Sequence, residues 1–166
     1  MLGLGLLYVG AVLFLNALSL LGRVSARGAS VMNFFTGVLT FIIAMYTALA
    51  RPAGDASYFA AAQTLLFSFT YLWVAINGYF EVEDGSALGW YCLFVAAVTV
   101  PTAALTFAAG DLRFGLIWLA WGFLWFLFWL LLALKRNLAR FTAYVTLAEA
   151  VLTCMVPGFL ILTGRW

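Results

Sequence analysis

Residues 114–134 read FGLIWLAWGFLWFLFWLLLAL and contain no charged side chain. A helix crosses about 30 Å of hydrocarbon in about 20 residues, so this stretch is typical of a transmembrane helix. The rest of the chain has the same character, because 67% of its 166 residues are hydrophobic and only 8% are charged. Soluble domains usually carry about 25% charged residues. The sequence therefore predicts a membrane protein.

The charged residues divide the chain into six segments, each apolar and long enough to span a bilayer. The predicted helices belong to one domain, residues 1–166, and occupy roughly 2–22, 30–50, 58–80, 87–109, 114–134 and 141–163. Short loops join them, which predicts that consecutive helices pack as antiparallel neighbours. The predicted fold class is an all-α membrane protein with six transmembrane helices.

Residues that usually carry enzymatic chemistry are scarce. The chain has no histidine, and its two cysteines, Cys92 and Cys154, lie inside apolar segments. It contains no nucleotide-binding motif and no group of residues with zinc-ligand spacing. A net charge of +2, spread over the loops, provides no basic surface for nucleic acid. We therefore predict that the protein is not an enzyme and uses no cofactor or metal.

The distribution of basic residues predicts the orientation in the membrane, since loops rich in Lys and Arg remain in the cytoplasm. The loops after the first and fifth helices carry Arg23, Arg27, Lys135, Arg136 and Arg140. The opposite side carries Arg51, Arg113 and Arg165. The difference favours a topology in which both termini lie outside, in the periplasm.

Glu149 is an acidic residue inside the last apolar segment. If this helix begins near Phe141, Glu149 lies about 12 Å deep, at 1.5 Å per residue. Insertion of a carboxylate at that depth costs about 2.5–3.5 kcal/mol, so the side chain should face a cavity or a partner. Glu149 either contributes to a path through the membrane or stabilises helix packing through hydrogen bonds.

Helix one carries an apolar stripe that ends in an amide. Its members are separated by 4, 3, 4 and 3 residues and are Leu2, Leu6, Val9, Leu13 and Asn16. This spacing places them on one helical face. The stripe suits either an apolar slot with one polar contact or packing against another helix. We interpret the amides of Asn33 and Gln63 as hydrogen-bonding groups that join helices.

Helix five carries four tryptophans on one face, with spacings of 3, 4 and 4: Trp118, Trp121, Trp125 and Trp129. Interfacial tryptophans lie at the ends of a transmembrane helix, whereas Trp121 and Trp125 fall in its middle. Helix three adds Phe67 and Tyr71, one turn apart. These rings either pack helices together or form narrow walls past which a flat, neutral molecule slides.

Characteristic segments occur in order from the N-terminus to the last helix. They are LLYVG at 6–10, VMNFF at 31–35, FTYL at 69–72, AIN at 75–77, WY at 90–91, LFVA at 93–96, VP at 100–101, IWLAWG at 117–122, LW at 124–125, FT at 141–142 and Glu149. Together they resemble the AmiS/UreI family of bacterial urea and short-chain amide channels. The resemblance implies a multi-pass protein of the bacterial inner membrane. Each protomer would contain three repeated helix hairpins with both termini periplasmic, and six protomers would form a hexamer.

The resemblance also implies which residues line the pore and contact the permeant. They are Leu2, Leu6, Val9, Leu13, Asn16, Phe67, Tyr71, Trp121, Leu124, Trp125 and Glu149. The implied partners are urea or a short-chain amide as the permeant, membrane lipid, and further copies of the chain. A functional link to a cytoplasmic amidase or urease follows from the same resemblance.

Acid-gated members of this family carry long, histidine-rich periplasmic loops, and histidine changes its charge near pH 6.5. In this chain the loop between helices two and three is short and histidine is absent. We therefore predict a passive channel without histidine-type acid activation. The alternatives are a proton-coupled small-amide carrier that uses Glu149, and a membrane scaffold that transports nothing.

Overall fold

The computed structural model describes residues 1–166 and is entirely helical. Six segments are long and apolar enough to span a membrane, as the sequence predicted. The helices are α1 Leu2–Leu20, α2 Ala26–Ala50, α3 Ala56–Tyr79, α4 Ser86–Ala108, α5 Leu112–Leu132, α6 Ala139–Glu149 and α7 Val156–Leu162. A π-helical turn, Ala150–Met155, joins α6 to α7, and the three elements form the sixth span.

Capping side chains in the loops set the starts of two helices. Helix α2 begins at Ala26 instead of residue 30, because the Ser25 hydroxyl accepts the Gly28 backbone N–H at 3.0 Å. In the same way, the Asp111 carboxylate accepts the Phe114 N–H at the start of α5. These caps satisfy backbone donors that a helix leaves free at its first turn.

The spans pack most extensively in three pairs. Helix α2 packs along α3, α4 packs along α5, and α1 packs against the sixth span. The first two pairs are hairpins of consecutive helices, whereas the third joins the two ends of the chain. The contacts of α3 with α4 and of α5 with α6 are much smaller. The short loops predicted that all consecutive helices pack as antiparallel neighbours. In the structure the extent of packing between consecutive helices differs widely.

Glycines allow the close approach of α1 to the sixth span. A Cβ atom at Gly10 would lie 2.9 Å from the Ala150 carbonyl oxygen and 2.9 Å from the Met155 nitrogen. A Cβ at Gly158 would lie 2.8 Å from the Leu7 nitrogen. Small residues at such positions let helix backbones approach closely in a membrane. The backbone of α1 thus rests directly on the π-helical turn.

The π-helical turn lies immediately before a proline. Pro157 has no backbone N–H, and its ring crowds the carbonyl of the residue four positions earlier, which is Thr153. The regular pattern of backbone hydrogen bonds in the sixth span is interrupted there. The Thr153 hydroxyl donates to the Glu149 carbonyl oxygen at 2.7 Å and supports the backbone across the turn. Turns of this kind occur frequently at functional sites.

Candidate pore

Two cavities enter the helix bundle from opposite ends. The large cavity has a volume of about 410 Å³ and opens among the loops that follow α1, α3 and α5. The small cavity has a volume of about 90 Å³ and opens beside the N-terminal residues Met1 and Leu2. Phe67 and Trp121 line both cavities. These two side chains are shared by the walls of both cavities, and we call the pair the constriction.

The constriction belongs to a cluster of four aromatic side chains, Phe67, Trp118, Trp121 and Trp125, which we call the aromatic cluster. The Phe67 ring centroid lies 4.8 Å from that of Trp121 and 4.7 Å from that of Trp125. Trp118 and Trp121 meet edge to face at 5.0 Å. Edge-to-face pairs have a preferred geometry, so each ring restrains its neighbours.

The indole N–H groups of the constriction already have partners within the protein. Trp121 Nε1 donates to Thr153 Oγ1 at 3.0 Å, and Trp125 Nε1 donates to Thr70 Oγ1 at 3.3 Å. Each threonine hydroxyl donates in turn to a backbone carbonyl of its own span at 2.7 Å. The two indoles are thereby held in orientation, and their carbon faces and edges remain to contact a molecule in the cavities.

Ten of the eleven residues selected from the sequence line a cavity. Leu2, Leu6 and Val9 line the small cavity. Leu13, Asn16, Tyr71, Leu124 and Trp125 line the large cavity, and Phe67 and Trp121 line both. The stripe of α1 thus faces the interior along its whole length, from an exposed Leu2 at the entrance to Asn16 beyond the constriction.

Glu149 is the one selected residue that lines neither cavity. Its side chain is buried, with 6% exposure, and its carboxyl group makes no hydrogen bond to another protein group. It is the last residue of α6, directly before the π-helical turn. The structure therefore places Glu149 at the junction of α6 and the π-helical turn, buried and not among the residues that line the two cavities.

Charged side chains line the large cavity only at its mouth, where Glu83 and Lys135 are found. Lys135 Nζ lies 3.3 Å from Oδ1 of the exposed Asp84. The backbone N–H and hydroxyl of Ser86, together with Lys135, hold the pKa of the Asp84 carboxyl below its usual range. Asp84 therefore stays ionised between pH 5 and pH 7, and its ion pair with Lys135 keeps its charge over that interval.

Other residues of the cavity walls are absent from the sequence prediction. Val74 and Gly78 line the large cavity and continue the helical spacing of Phe67 and Tyr71 along α3. That spacing is a signal from which they could have been identified. The two threonines that accept the indole N–H groups carry no such signal, because threonine is frequent in these spans. Only the folded structure brings their hydroxyl groups to the indoles.

Residues 1–165 match the family described as AmiS/UreI family transporter. The chain belongs to the AmiS/UreI family. A candidate amidate substrates transporter of Mycolicibacterium smegmatis is 47% identical over 99% of this chain and 78% of its own. The acid-activated urea channel of Helicobacter pylori strain J99 is 37% identical over 100% of both chains. Membership of the AmiS/UreI family, predicted from the sequence, is confirmed.

Solved structures of the AmiS/UreI family agree with this fold. The crystal structure of the urea channel from Helicobacter pylori superimposes with a TM-score of 0.89 at 38% identity, covering 100% of this chain and 99% of that chain. A cryoEM structure of the Helicobacter pylori urea channel in a closed state gives 0.87 at 37% identity, with 100% of both chains covered. The chain is a multi-pass inner-membrane transport protein and not an enzyme.

This AmiS/UreI protein is shorter than its acid-activated relative. Their alignment extends over 195 positions and covers the whole of both chains, whereas this chain has 166 residues. The relative therefore has segments that this chain lacks. The shorter chain nevertheless has six spans and both cavities.

Proposed function

We propose that this protein is a passive channel for urea and short-chain aliphatic amides across the bacterial inner membrane. The observation that supports the proposal is the aromatic constriction at which two cavities from opposite ends meet. Primary amides are flat and uncharged, so they can pass between ring surfaces without the loss of a tightly bound hydration shell. A hydrated ion would have to shed its water at a constriction that offers only ring carbons.

The residues of the two cavities divide into apolar walls and a few polar contacts. Leu2, Leu6 and Val9 form the wall of the small cavity, and Leu13 and Leu124 contribute to that of the large one. Polar contacts come from the Asn16 amide and from the Tyr71 hydroxyl, which has no hydrogen-bond partner in the protein. Such isolated polar groups replace the water contacts that a permeant loses and fix its orientation.

We propose further that acid does not activate this channel. The chain contains no histidine, the residue whose ordinary pKa lies nearest to physiological acid signals. The charged residues of the cavity walls, Glu83 and Lys135, stand at the mouth, and the Asp84 carboxyl that pairs with Lys135 stays ionised down to pH 5. Neither the constriction nor the small cavity presents a charged side chain.

Permeability measured in proteoliposomes tests this proposal. Stopped-flow light scattering should show faster reswelling with urea and acetamide than in protein-free vesicles. Because no histidine can change its charge, the urea permeability at pH 5 and at pH 7 should agree within about twofold. A large rise at pH 5 would contradict the absence of acid activation, and permeability equal to that of empty vesicles for both solutes would contradict the channel.

A proton-coupled carrier is the second candidate, because the Glu149 carboxyl is buried and unpaired. A carrier would accumulate acetamide against its gradient when a pH gradient is imposed, and Glu149→Gln would abolish that accumulation. For a channel we expect labelled acetamide to equilibrate with or without a pH gradient, in the wild type and in Glu149→Gln. Gradient-driven accumulation that depends on Glu149 would establish the carrier.

The proposal includes the arrangement of the protein in its membrane. We infer three repeated helix hairpins, periplasmic termini and a hexamer in which each protomer has its own pore, with lipid around the assembly. Large apolar side chains on the outside of the bundle, such as Phe35 and Leu49, are available to lipid or to another protomer. Native mass spectrometry of the solubilised protein would count the protomers. A gene for a cytoplasmic amidase or urease beside this one would identify the consumer of the permeant.

A further inference from the structure

Asn16 in the wall of the large cavity is held by a second amide behind it. Asn16 Nδ2 donates to Asn33 Oδ1 at 3.0 Å, and Asn33 Nδ2 donates back to Asn16 Oδ1 at 2.6 Å. Asn33 is fully buried in α2 and donates a further hydrogen bond to the Ala29 carbonyl oxygen at 2.9 Å. Asn33 lines neither cavity, so it reaches the large cavity only through Asn16.

A count of hydrogen-bond donors and acceptors shows which groups of Asn16 and Asn33 remain free to bind a permeant. An asparagine side chain has two N–H donors and one oxygen with two lone pairs. Both N–H groups of Asn33 are used, one by Ala29 and one by Asn16. The opposite orientation of the Asn33 amide would place its oxygen against the Ala29 carbonyl oxygen, so the orientation is determined. Asn16 uses one N–H and one lone pair, and keeps one of each.

We propose that Asn33 is a positioning residue that sets the solute selectivity of the large cavity. It holds Asn16 with one N–H donor and one carbonyl lone pair free for a permeant that has both an acceptor and an N–H. Ureas and primary amides have both groups, whereas a tertiary amide has no N–H for Asn16 Oδ1. A restrained amide loses less conformational freedom on contact than a free one, which strengthens the discrimination. This inference rests on the proposed channel function.

Two isomeric solutes provide the test. Propionamide and N,N-dimethylformamide have the same atoms, but only propionamide carries N–H groups. Their permeabilities are measured in proteoliposomes after subtraction of the protein-free rate. We expect Asn33→Ala to lower the ratio of propionamide to N,N-dimethylformamide permeability by about three- to tenfold, the effect of about one net hydrogen bond. Asn33→Leu fills a similar volume without an amide, and should lower the ratio as much if the alanine variant does not fold.

Thr36→Val is the matched control. Thr36 is buried three residues further along α2, and its hydroxyl bonds the Tyr8 carbonyl oxygen of α1 at 3.4 Å. Its replacement removes an α1–α2 hydrogen bond without touching the amide pair, and should leave the ratio unchanged. A decrease as large as that of Asn33→Ala would show a general effect of loosened helices and would overturn the proposal.

A double variant tests whether Asn33 acts through Asn16. If it does, adding Asn33→Ala to Asn16→Ala changes the ratio no further. An unchanged ratio in Asn33→Ala or Asn33→Leu vesicles that conduct urea would overturn the positioning role while leaving the channel intact. Wild-type vesicles that conduct neither urea nor propionamide would instead contradict the proposed function itself.

Discussion

Replacement of Trp121 by alanine is expected to lower the ratio of urea to glycerol permeability by about tenfold or more, because the width of a constriction decides which solutes pass. Trp121 lines both cavities and contacts the rings of Phe67 and Trp118. Its loss would join the two cavities into a wider path and remove one of the rings that restrain Phe67. The measurement is stopped-flow reswelling of proteoliposomes with each solute in turn.

Trp90→Ala is the matched control for Trp121→Ala. Trp90 is 54% exposed on α4 and lines neither cavity, so its replacement removes an indole without altering the constriction. Loss of a buried aromatic side chain costs about 3–5 kcal/mol in soluble cores, so the amount of folded protein must be measured for both variants. A folded Trp121→Ala with wild-type selectivity would contradict the role of Trp121 in solute selection, whereas a wild type and a variant that both match empty vesicles would support the membrane scaffold that transports nothing.

Replacement of Gly10 by alanine is expected to lower the melting temperature of the solubilised protein by about 2–12 °C. The added Cβ would lie 2.9 Å from backbone atoms of Ala150 and Met155, and neither backbone atom can move aside as a flexible side chain could. Overpacking of this kind costs about 1–3 kcal/mol, and about 1 kcal/mol corresponds to about 2–4 °C in a chain of this size. Thermal unfolding in detergent, followed by circular dichroism, measures the change.

Gly5→Ala supplies the matched control on the same helix. A Cβ at Gly5 would lie 3.6 Å from the Ile43 Cδ1 atom, which is an ordinary contact. Alanine is the better helix former, so this variant should melt at the wild-type temperature or slightly above it. Equal destabilisation by both substitutions would show that the contact with the π-helical turn is not what makes Gly10 necessary.

The number and placement of the spans follow from the sequence because each span must satisfy its own backbone in lipid. A long apolar run such as 114–134 has no alternative to a helix, and charges at its ends mark the loops. The π-helical turn could not be predicted in the same way. Pro157 indicates that the backbone hydrogen bonds of the helix are interrupted, but no local pattern records that the interruption is a π-helical turn or that Gly10 of α1 rests against it.

The candidate site, too, was predicted in part from the sequence, and the rest required the structure. Helical spacing identified the stripe of α1 and the rings of Trp121 and Trp125, since periodicity tells which residues share a face. Periodicity could not identify which helix or cavity that face contacts. Asn33 was interpreted only as a bond between helices, and the structure shows that its partner is the cavity residue Asn16. Glu149 stood out by its charge, and its contact with a permeant stays a prediction, because the side chain is buried but lines neither of the two cavities.

The sequence by itself determined that this is a membrane protein with six spans and a member of the AmiS/UreI family. It also determined that the chain has no histidine. These properties depend on composition and on local spacing. Only the tertiary structure shows that Phe67 and Trp121 line both cavities. It also shows that threonine hydroxyls accept the indole N–H groups, and that the Asn33 amide is hydrogen-bonded to the Asn16 amide in the cavity wall. Contacts between spans distant in sequence require the packed bundle, because no local pattern records which helix faces which.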